Sequence, residues 1–361
     1  MGTLLFFASK YIYFSEFTNF SSLFLAYRPI SCIPAVCFFV VTSAFAQPSE
    51  HEVRVTNHSA GIVLAGTLTT PPSPKAVCVL ATGSGAQDRD ETLLGHKPFK
   101  VLADSLADRG YAVLRMDDRG TGASEGDFAG STVDDFVTDI AAGVGYVDSL
   151  FRPIPICVIG HSEGGDIAIR LGASDKRVDM IVTLAAPAWR GDSVIMSQCR
   201  EMAVRMLGHW DGEALQRQLL DIAMSDASEP SVRMSLQYVL LSLPEASVPQ
   251  VREHLMASAT QMATPYYRRM LRYDPVSDIE KVKCPWLALN GDRDVQVLCA
   301  NLETITEHAP QADTVVMAGH NHLFQHSSSG MPDEYASLRE DISIETLNTI
   351  IAWLDAHTTG R

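Results

Sequence analysis

From residue 51 onward, short apolar runs alternate along the chain with longer segments of amphipathic helical spacing. The runs HEVRVTN (51–57) and IVLAGTLTT (62–70) alternate apolar and polar positions on either side of a polar connection, which predicts an antiparallel hairpin. Six further runs are short and continuously apolar, as strands buried on both faces are. They are AVCVLAT (76–82), YAVLRMD (111–117), PICVIG (155–160), VDMIVTLAA (178–186), PWLALNG (285–291) and DTVVMAG (313–319).

The segments between these runs carry apolar residues three and four positions apart, the spacing of helices that pack one face on a sheet. Two clear sets are Phe99, Leu102, Ala103, Leu106, Ala107 and Val133, Phe136, Val137, Ile140, Ala141, Val144. Strands that alternate with helices predict an α/β fold, with a mostly parallel central sheet and helices on both faces. Residues from about 187 to 275 contain no strand-like run and hold eight of the 13 methionines. We interpret this segment as a helical insertion that caps the sheet.

The first 46 residues differ from the rest of the chain. An apolar stretch, Ser31 to Ala46, follows Arg28 and ends in Ala44-Phe45-Ala46, the small-x-small pattern of a signal-peptidase site. We therefore predict an exported protein, periplasmic or secreted, whose mature chain starts at Gln47 and which has no stable membrane association after cleavage. The alternative is an uncleaved anchor, although the stretch is shorter than the about 20 residues that a spanning helix needs. The leader is long for a signal peptide, which a mis-assigned start codon would explain.

Net charge and cysteine spacing exclude several classes of function. The formal net charge is −15 and no basic run occurs, which argues against a nucleic-acid partner. The five cysteines beyond the leader show neither a CxxC pair nor metal-ligand spacing, and Cys78 and Cys157 lie in apolar runs where a thiol is usually a small core residue.

One serine lies between glycines where a predicted strand meets a predicted helix, in GHSEGG (160–165). A turn this tight holds its central residue in a strained conformation, so the residues two before and two after it must be small. Gly160 and Gly164 meet this requirement around Ser162. The N-terminus of the following helix favours the anion that forms when a serine attacks a carbonyl group. The pattern therefore predicts that Ser162 is a catalytic nucleophile.

A nucleophilic serine needs a histidine base and an acid that orients it, and in hydrolases with this elbow they follow in the order serine, acid, histidine. Asp292 and Asp294 come directly after the next-to-last predicted strand. The last predicted strand is followed by His320, His322 and His326. Both clusters lie at carboxyl ends of strands, where ligands bind in open α/β sheets. Spacing alone does not choose within either cluster.

These motifs resemble those of the α/β-hydrolase superfamily, and within it the bacterial secreted carboxylesterases. GHSEGG matches the elbow, GSGAQDRDE (83–91) resembles the first-loop motif, and DDRGTGAS (117–124) resembles the turn after the next strand. NGDRDVQV matches the acid loop of the family and HNHLFQ its histidine segment, which selects Asp294 over Asp292 and His322 over His320. The resemblance covers the chain from residue 51 onward. Together with the leader (1–46) predicted above, it implies one α/β-hydrolase domain (47–361) that contains the helical insertion at about 187–275.

The tetrahedral intermediate of acyl transfer needs two backbone N–H groups aimed at its oxyanion. We assign one to Glu163, the residue after the nucleophile, and the other to Ser84 in the loop after the first parallel strand, with Gly85 as the alternative. We expect Asp88, Arg89, Asp90 and Arg119 to brace their loops rather than to contact substrate. Trp189, Trp210, Tyr266 and Tyr267 are candidates for the lining of an acyl pocket under the insertion.

The sequence therefore predicts a serine carboxylesterase that hydrolyses short-chain acyl esters through Ser162, Asp294 and His322. The alternative on the same triad is an exported amidase or aminopeptidase. A non-catalytic binding protein is disfavoured because every triad position is occupied by the required residue. A metal site built from Asp292, Asp294, His320 and His322 would leave Ser162 without a role, so we predict neither a metal nor a cofactor, and a small-molecule ester as the partner.

Overall fold

The apolar runs form one eight-stranded sheet within residues 47–358, the part of the chain that this computed structural model describes. The strands are β1 (Ser49–Asn57), β2 (Ile62–Thr70), β3 (Val77–Ala81), β4 (Ala112–Met116), β5 (Ile156–His161), β6 (Met180–Leu184), β7 (Trp286–Gly291) and β8 (Asp313–Met317). Their order across the sheet is β1-β2-β4-β3-β5-β6-β7-β8. β1 and β2 pair antiparallel, β2 runs antiparallel to β4, and all pairs from β4 to β8 are parallel. The predicted hairpin and the mostly parallel sheet are confirmed.

Helices cover both faces of the sheet, as predicted. Those outside the segment 187–275 are α1 (Pro98–Asp108), α2 (Val133–Phe151), α3 (Glu163–Ser174), α9 (Val276–Ile279), α10 (Asn301–His308) and α11 (Ile344–Thr358). β3 shows why both faces need cover, because its side chains alternate between two cores. Val77 and Val79 pack in the cluster that contains α2 and α3, whereas Cys78 and Leu80 pack in the cluster that contains α1 and α11.

The segment 187–275, all of which the structure describes, contains helices and no strand. They are α4 (Gly191–Leu207), α5 (Glu213–Ala223), α6 (Glu229–Leu241), a 3₁₀ turn (Pro244–Ser247), α7 (Pro249–Met262) and α8 (Pro265–Arg272). Buried side chains of these helices, such as Leu219, Leu236 and Tyr266, join the hydrophobic cluster of α2 and α3. The insertion therefore packs on the α2 and α3 side of the sheet.

Burial of the last strand differs from the prediction. DTVVMAG reads as a strand buried on both faces, but β8 lies at the edge of the sheet, pairs only with β7, and leaves Val316 54% exposed. An edge strand has a neighbour on one side only, so its side chains are less covered than those of a central strand with the same composition.

The leader 1–46, with its predicted cleavage site before Gln47, lies outside the described residues. Among the helices of residues 47–358, none combines the length and the apolar character that crossing a membrane requires.

Candidate active site

Ser162 lies between the last residue of β5 and the first residue of α3, in a sterically demanding turn. Its φ is 53° and its ψ is −117°, a backbone conformation that residues with a Cβ rarely adopt. A Cβ on Gly160 would lie 1.9 Å from the carbonyl oxygen of Gly164, and a Cβ on Gly164 would lie 2.0 Å from the carbonyl oxygen of Ala81. The steric reason predicted for glycine at both positions is therefore present in the structure.

Asp294 and His322 come together from the loops after β7 and β8. The distance between Asp294 Oδ2 and His322 Nδ1 is 2.7 Å, and both side chains are buried. Asp294 Oδ1 accepts hydrogen bonds from the backbone N–H groups of Gln296 and Val297, at 2.7 and 3.0 Å, so the carboxylate is held from both oxygens. Since Nδ1–H donates to a carboxylate, the lone pair of the imidazole lies on Nε2, the nitrogen that a general base uses.

The two rejected alternatives lie elsewhere. Asp292 is exposed, and its Oδ1 accepts a hydrogen bond from the backbone N–H of Gly319 at 2.6 Å, which braces the turn after β8. His320 is buried, with Nδ1 2.8 Å from the carbonyl oxygen of Ala318 and Nε2 2.7 Å from Ser343 Oγ. The structure thus pairs the acid and the histidine that the family resemblance selects.

His161 links the elbow to the loop that carries His322. It precedes Ser162 in the chain, its Nε2 lies 2.9 Å from the carbonyl oxygen of His322, and the two imidazole rings are 4.8 Å apart. The structure therefore brings the loop of His322 to the residue next to the nucleophile.

Glu91 completes this link from the other side, and sequence reasoning missed it. Its side chain is 2% exposed, and its Oε1 lies 2.8 Å from His161 Nδ1 and accepts the N–H of Gly83 at 2.7 Å. A carbonyl oxygen only accepts, so His161 Nε2 must carry a proton toward His322, and one more proton must lie between His161 Nδ1 and Glu91. The pair is either a carboxylate with an imidazolium or two neutral groups. Glu91 lies in the motif GSGAQDRDE and His161 in GHSEGG, and nothing else in the sequence indicates that the two side chains interact.

The loop after β3 passes directly beside the nucleophile. A Cβ on Gly83 would lie 3.5 Å from the Cβ of Ser162, so this loop approaches Ser162 closely because residue 83 has no side chain. The N–H of Gly83 donates to Glu91, whereas half-buried Ser84 follows in the same loop. Glu163 is the first residue of α3 and contributes its N–H at the helix N-terminus. The assignment of Ser84 and Glu163 as oxyanion donors stays a prediction.

The insertion contacts the elbow through Tyr266, whose hydroxyl donates to Glu163 Oε2 at 2.6 Å. Tyr266 also packs against Phe128 and Phe136, with ring centroids 6.0 and 6.1 Å away. Trp189, another predicted lining residue, donates from its indole N–H to a threonine of α10. Tyr266 therefore connects the insertion directly to Glu163, the residue after Ser162.

A small cavity lies beside Glu163, lined by Thr82, Gly83 and Asp118 among others. The carboxyl of Asp118 accepts hydrogen bonds from Thr82 Oγ1 and from the backbone N–H of Gln87. Burial, together with the negative charges of Glu163 and Glu91, raises the pKa of Asp118 well above its ordinary value. The elbow is thus flanked by buried acidic side chains.

The expected bracing residues do brace their loops. Arg89 donates to both carboxylate oxygens of Asp117, at 2.9 and 3.0 Å, and to Glu52. Arg119 donates to both oxygens of Asp139 on α2, at 2.6 and 2.9 Å. Asp88 and Asp90 have the same kind of role, since Asp88 caps backbone N–H groups of its own loop and Asp90 pairs with Arg115 and Lys97.

Comparison with known proteins gives the following matches. A family model described as serine aminopeptidase, S33, matches residues 95–325. The chain is 27% identical over 237 residues to esterase EstD of Thermotoga maritima, which covers 65% of this chain and 50% of EstD, so it spans about half the length of that relative. The solved esterase Pf2001 of Pyrococcus furiosus is 16% identical with a TM-score of 0.56, over 90% of this chain and 96% of the esterase. Est1E of Butyrivibrio proteoclasticus, solved with ferulic acid, is 18% identical with a TM-score of 0.51, over 86% and 100%. At these identities the two structures show the α/β-hydrolase fold.

Proposed function

The chain belongs to the serine aminopeptidase S33 family of α/β-hydrolases, and on this premise we propose that it is a serine carboxylesterase that hydrolyses short-chain acyl esters. One observation carries the proposal: a strained serine elbow stands beside a buried Asp294–His322 pair whose carboxylate and imidazole are 2.7 Å apart. Acyl transfer to water uses a nucleophilic serine together with such a carboxylate–imidazole pair. The similarity to EstD supports an esterase.

The proposed reaction has two halves. Ser162 Oγ attacks the ester carbonyl carbon and its proton passes to His322 Nε2, while the N–H groups of Glu163 and Ser84 stabilise the oxyanion. The C–O bond to the alcohol then breaks, and the alcohol leaves with the proton of His322. Water attacks the acyl-enzyme with His322 again as the base, which releases the acid and restores Ser162. Asp294 holds the imidazole in the Nδ1–H tautomer and stabilises its protonated form throughout.

The test is a pair of matched substitutions together with loss of the nucleophile, assayed on p-nitrophenyl acetate and butyrate. Ser162→Ala should abolish turnover and labelling by a fluorophosphonate probe. Asp294→Asn should lower kcat by about 10⁴-fold because it disturbs the tautomer of His322. The control is Asp292→Asn, two residues away and exposed, which should change kcat little. Unchanged turnover in Ser162→Ala would remove Ser162 from the mechanism, and the opposite order of the two aspartates would reverse the assignment of the acid.

The preference for short acyl chains is tested with p-nitrophenyl esters of increasing length. We propose it because Tyr266 of the helical insertion bonds to Glu163, the residue after Ser162, so the insertion lies close to the elbow where the acyl chain would bind. The ratio kcat/KM should be higher for acetate and butyrate than for octanoate. A maximum at octanoate or beyond would contradict it.

An amidase or aminopeptidase on the same triad is the second candidate, and the description of the matching family favours it. The discriminating measurement compares a p-nitrophenyl ester with the p-nitroanilide of the same acyl group and with amino-acid p-nitroanilides. Faster turnover of an aminoacyl anilide than of the ester would establish the second candidate.

We also propose that the leader 1–46 directs export and is removed before Gln47, supported by the Ala44-Phe45-Ala46 pattern. N-terminal sequencing of the protein from an exporting host should give Gln47. Recovery of the full-length chain in the membrane fraction would show an uncleaved anchor instead.

A further inference from the structure

The loop after β8 carries two histidines besides His322, and both face the start of α11. His320 and His326 pair as an antiparallel bridge, and their rings are 4.4 Å apart. Glu345, in the first turn of α11, lies opposite them. Its Oε2 is 3.4 Å from His326 Nε2 and 3.9 Å from His320 Nε2. One ligand atom from each of the three residues lies within 4.8 Å of the other two.

We propose that His320, His326 and Glu345 form an accessory binding site for a divalent transition-metal ion, with Zn²⁺ as the best fit. Two imidazoles and one carboxylate are a common zinc donor set, with bonds of about 2.0–2.2 Å. Tetrahedral ligand atoms at such bond lengths are about 3.3–3.6 Å apart. The two distances to Glu345 are 3.4 and 3.9 Å, and all three ligand atoms lie within 4.8 Å of one another, so the ligands must move together by up to about 1 Å to bind zinc. The fourth position faces solvent, since His326 and Glu345 are exposed, and water fills it.

The outer nitrogens of both histidines are held as metal-binding histidines usually are. Ligating imidazoles almost always donate their other N–H to a carboxylate or a backbone carbonyl, which directs the lone pair at the metal. His326 Nδ1 lies 2.9 Å from Glu340 Oε1, and His320 Nδ1 lies 2.8 Å from the carbonyl oxygen of Ala318. Both Nε2 atoms are thereby left as acceptors on the side of Glu345.

One hydrogen bond must change when the metal binds. Ser343 Oγ lies 2.7 Å from His320 Nε2 and donates to it, because the proton of His320 is on Nδ1. The same hydroxyl lies 2.9 Å from Thr346 Oγ1, so its proton has a second acceptor within reach. Ser343 Oγ continues to accept the N–H of Thr346 at the start of α11. The exchange needs a rotation of one hydroxyl and no movement of the backbone.

The consequence of such a site is that the loop of His322 would be tied to α11. His320 precedes His322 by two residues and His326 follows it by four, so the ligands flank it on both sides. We expect bound metal to stabilise the folded protein and to lengthen its survival at elevated temperature. This inference does not rest on the proposed function, because none of its three residues belongs to the proposed triad.

The experiment is calorimetric titration of the chelator-treated full chain with ZnCl₂, together with thermal unfolding with and without ZnCl₂. The wild type should bind one ion per chain and unfold at a higher temperature with zinc. His326→Ala and Glu345→Gln should lose both effects, and since both side chains are exposed, circular dichroism should show them folded. Glu340→Ala should weaken binding by about 10–100-fold, because it removes the carboxylate that accepts from the outer nitrogen and the backbone N–H of His326 but leaves all three proposed ligands in place.

The matched control is His308→Ala, a half-buried histidine that pairs with Glu280 away from the site and should leave zinc binding unchanged. Titration with CoCl₂ adds a spectroscopic readout, since a tetrahedral site gives an intense visible band that should vanish in His326→Ala. The proposal is overturned if the wild type binds no zinc, or if His326→Ala and Glu345→Gln bind it as well as the wild type does. These outcomes are independent of esterase activity.

Discussion

Glu91, His161 and the carbonyl group of His322 form a chain of buried hydrogen bonds, here called the buried bond chain. The substitution Glu91→Gln tests whether this chain is needed for the fold and for the reaction. In the wild type, Glu91 Oε1 accepts the N–H of Gly83 at 2.7 Å and lies 2.8 Å from His161 Nδ1. His161 Nε2 in turn lies 2.9 Å from the carbonyl oxygen of His322. Glutamine keeps the shape of the side chain and changes only its protons and charge.

Counting protons gives the expected magnitude. If the glutamine oxygen accepts the N–H of Gly83, two arrangements of His161 are left. In one, the lone pair of neutral His161 Nδ1 faces that oxygen. In the other, His161 is protonated on both nitrogens and carries a buried positive charge that Glu91 no longer balances. If the amide is turned so that its NH₂ donates to His161, two donors face each other at Gly83. Every arrangement either loses at least one buried hydrogen bond or leaves a buried charge without a partner, and each costs at least about 1–3 kcal/mol of the free energy of unfolding. A displacement of the loop of His322 by a fraction of an ångström to 1 Å would lower kcat/KM by up to about 10²-fold.

The assay is urea unfolding at neutral pH combined with kcat/KM on p-nitrophenyl acetate. Glu253→Gln, an exposed glutamate on α7, is the matched control and should change stability by less than about 0.5 kcal/mol. Equal unfolding midpoints for Glu91→Gln and the wild type would refute the proton count. A lower midpoint with unchanged kcat/KM would refute the link between this bond chain and the position of His322.

Three further outcomes follow from single contacts. Gly164→Ala should give little soluble protein, because its Cβ would lie 2.0 Å from a carbonyl oxygen of β3, and a soluble, active variant would contradict the elbow geometry. Tyr266→Phe should lower the free energy of unfolding by about 1–3 kcal/mol and also lower kcat/KM, because it removes the hydroxyl that donates to buried Glu163. Unchanged values in urea unfolding and in the esterase assay would contradict this. Burial raises the pKa of Asp117, but the hydrogen bonds from Arg89 outweigh it and leave a net lowered pKa. The ionised carboxylate of Asp117 therefore contributes fully to stability above its unfolded pKa of about 3.9, and this contribution is lost as pH falls through the lower folded pKa. In urea unfolding below pH 4, the free energy of unfolding of Asp117→Asn should decline less steeply with pH than that of the wild type. An equal slope in the two proteins would contradict the assignment.

The sequence predicted the strands and the layering well, because a parallel strand between two helical layers must be apolar on both faces. The error at β8 has the same origin. Val315 and Val316 look like core residues, yet the place of a strand in the sheet order is decided by its crossover and not by its composition. Burial of an end strand is therefore not readable from its own residues.

Prediction of the site was limited by distance along the chain. The elbow could be derived locally, because Gly160 and Gly164 are required by contacts within one strand–turn–helix unit. The choice of Asp294 over Asp292 needed the family resemblance. In the structure, the turn after β7 buries the carboxylate of Asp294 and exposes that of Asp292. Two aspartates separated by one residue in the same turn carry no local signal for that difference.

The Glu91–His161 pair joins positions 70 residues apart, and no periodicity connects them. The buried bond chain runs from the loop after β3, through the elbow after β5, to the loop after β8. Burying such groups is unfavourable unless every donor and acceptor is paired. The proposed acyl transfer would explain why a fold bears this cost, because the proposed oxyanion donors, nucleophile and base lie on these same three loops and must keep fixed relative positions. The buried bond chain is stable only when all three loops are in place, so it couples their positions. Apolar packing alone would tolerate small displacements of one loop relative to another.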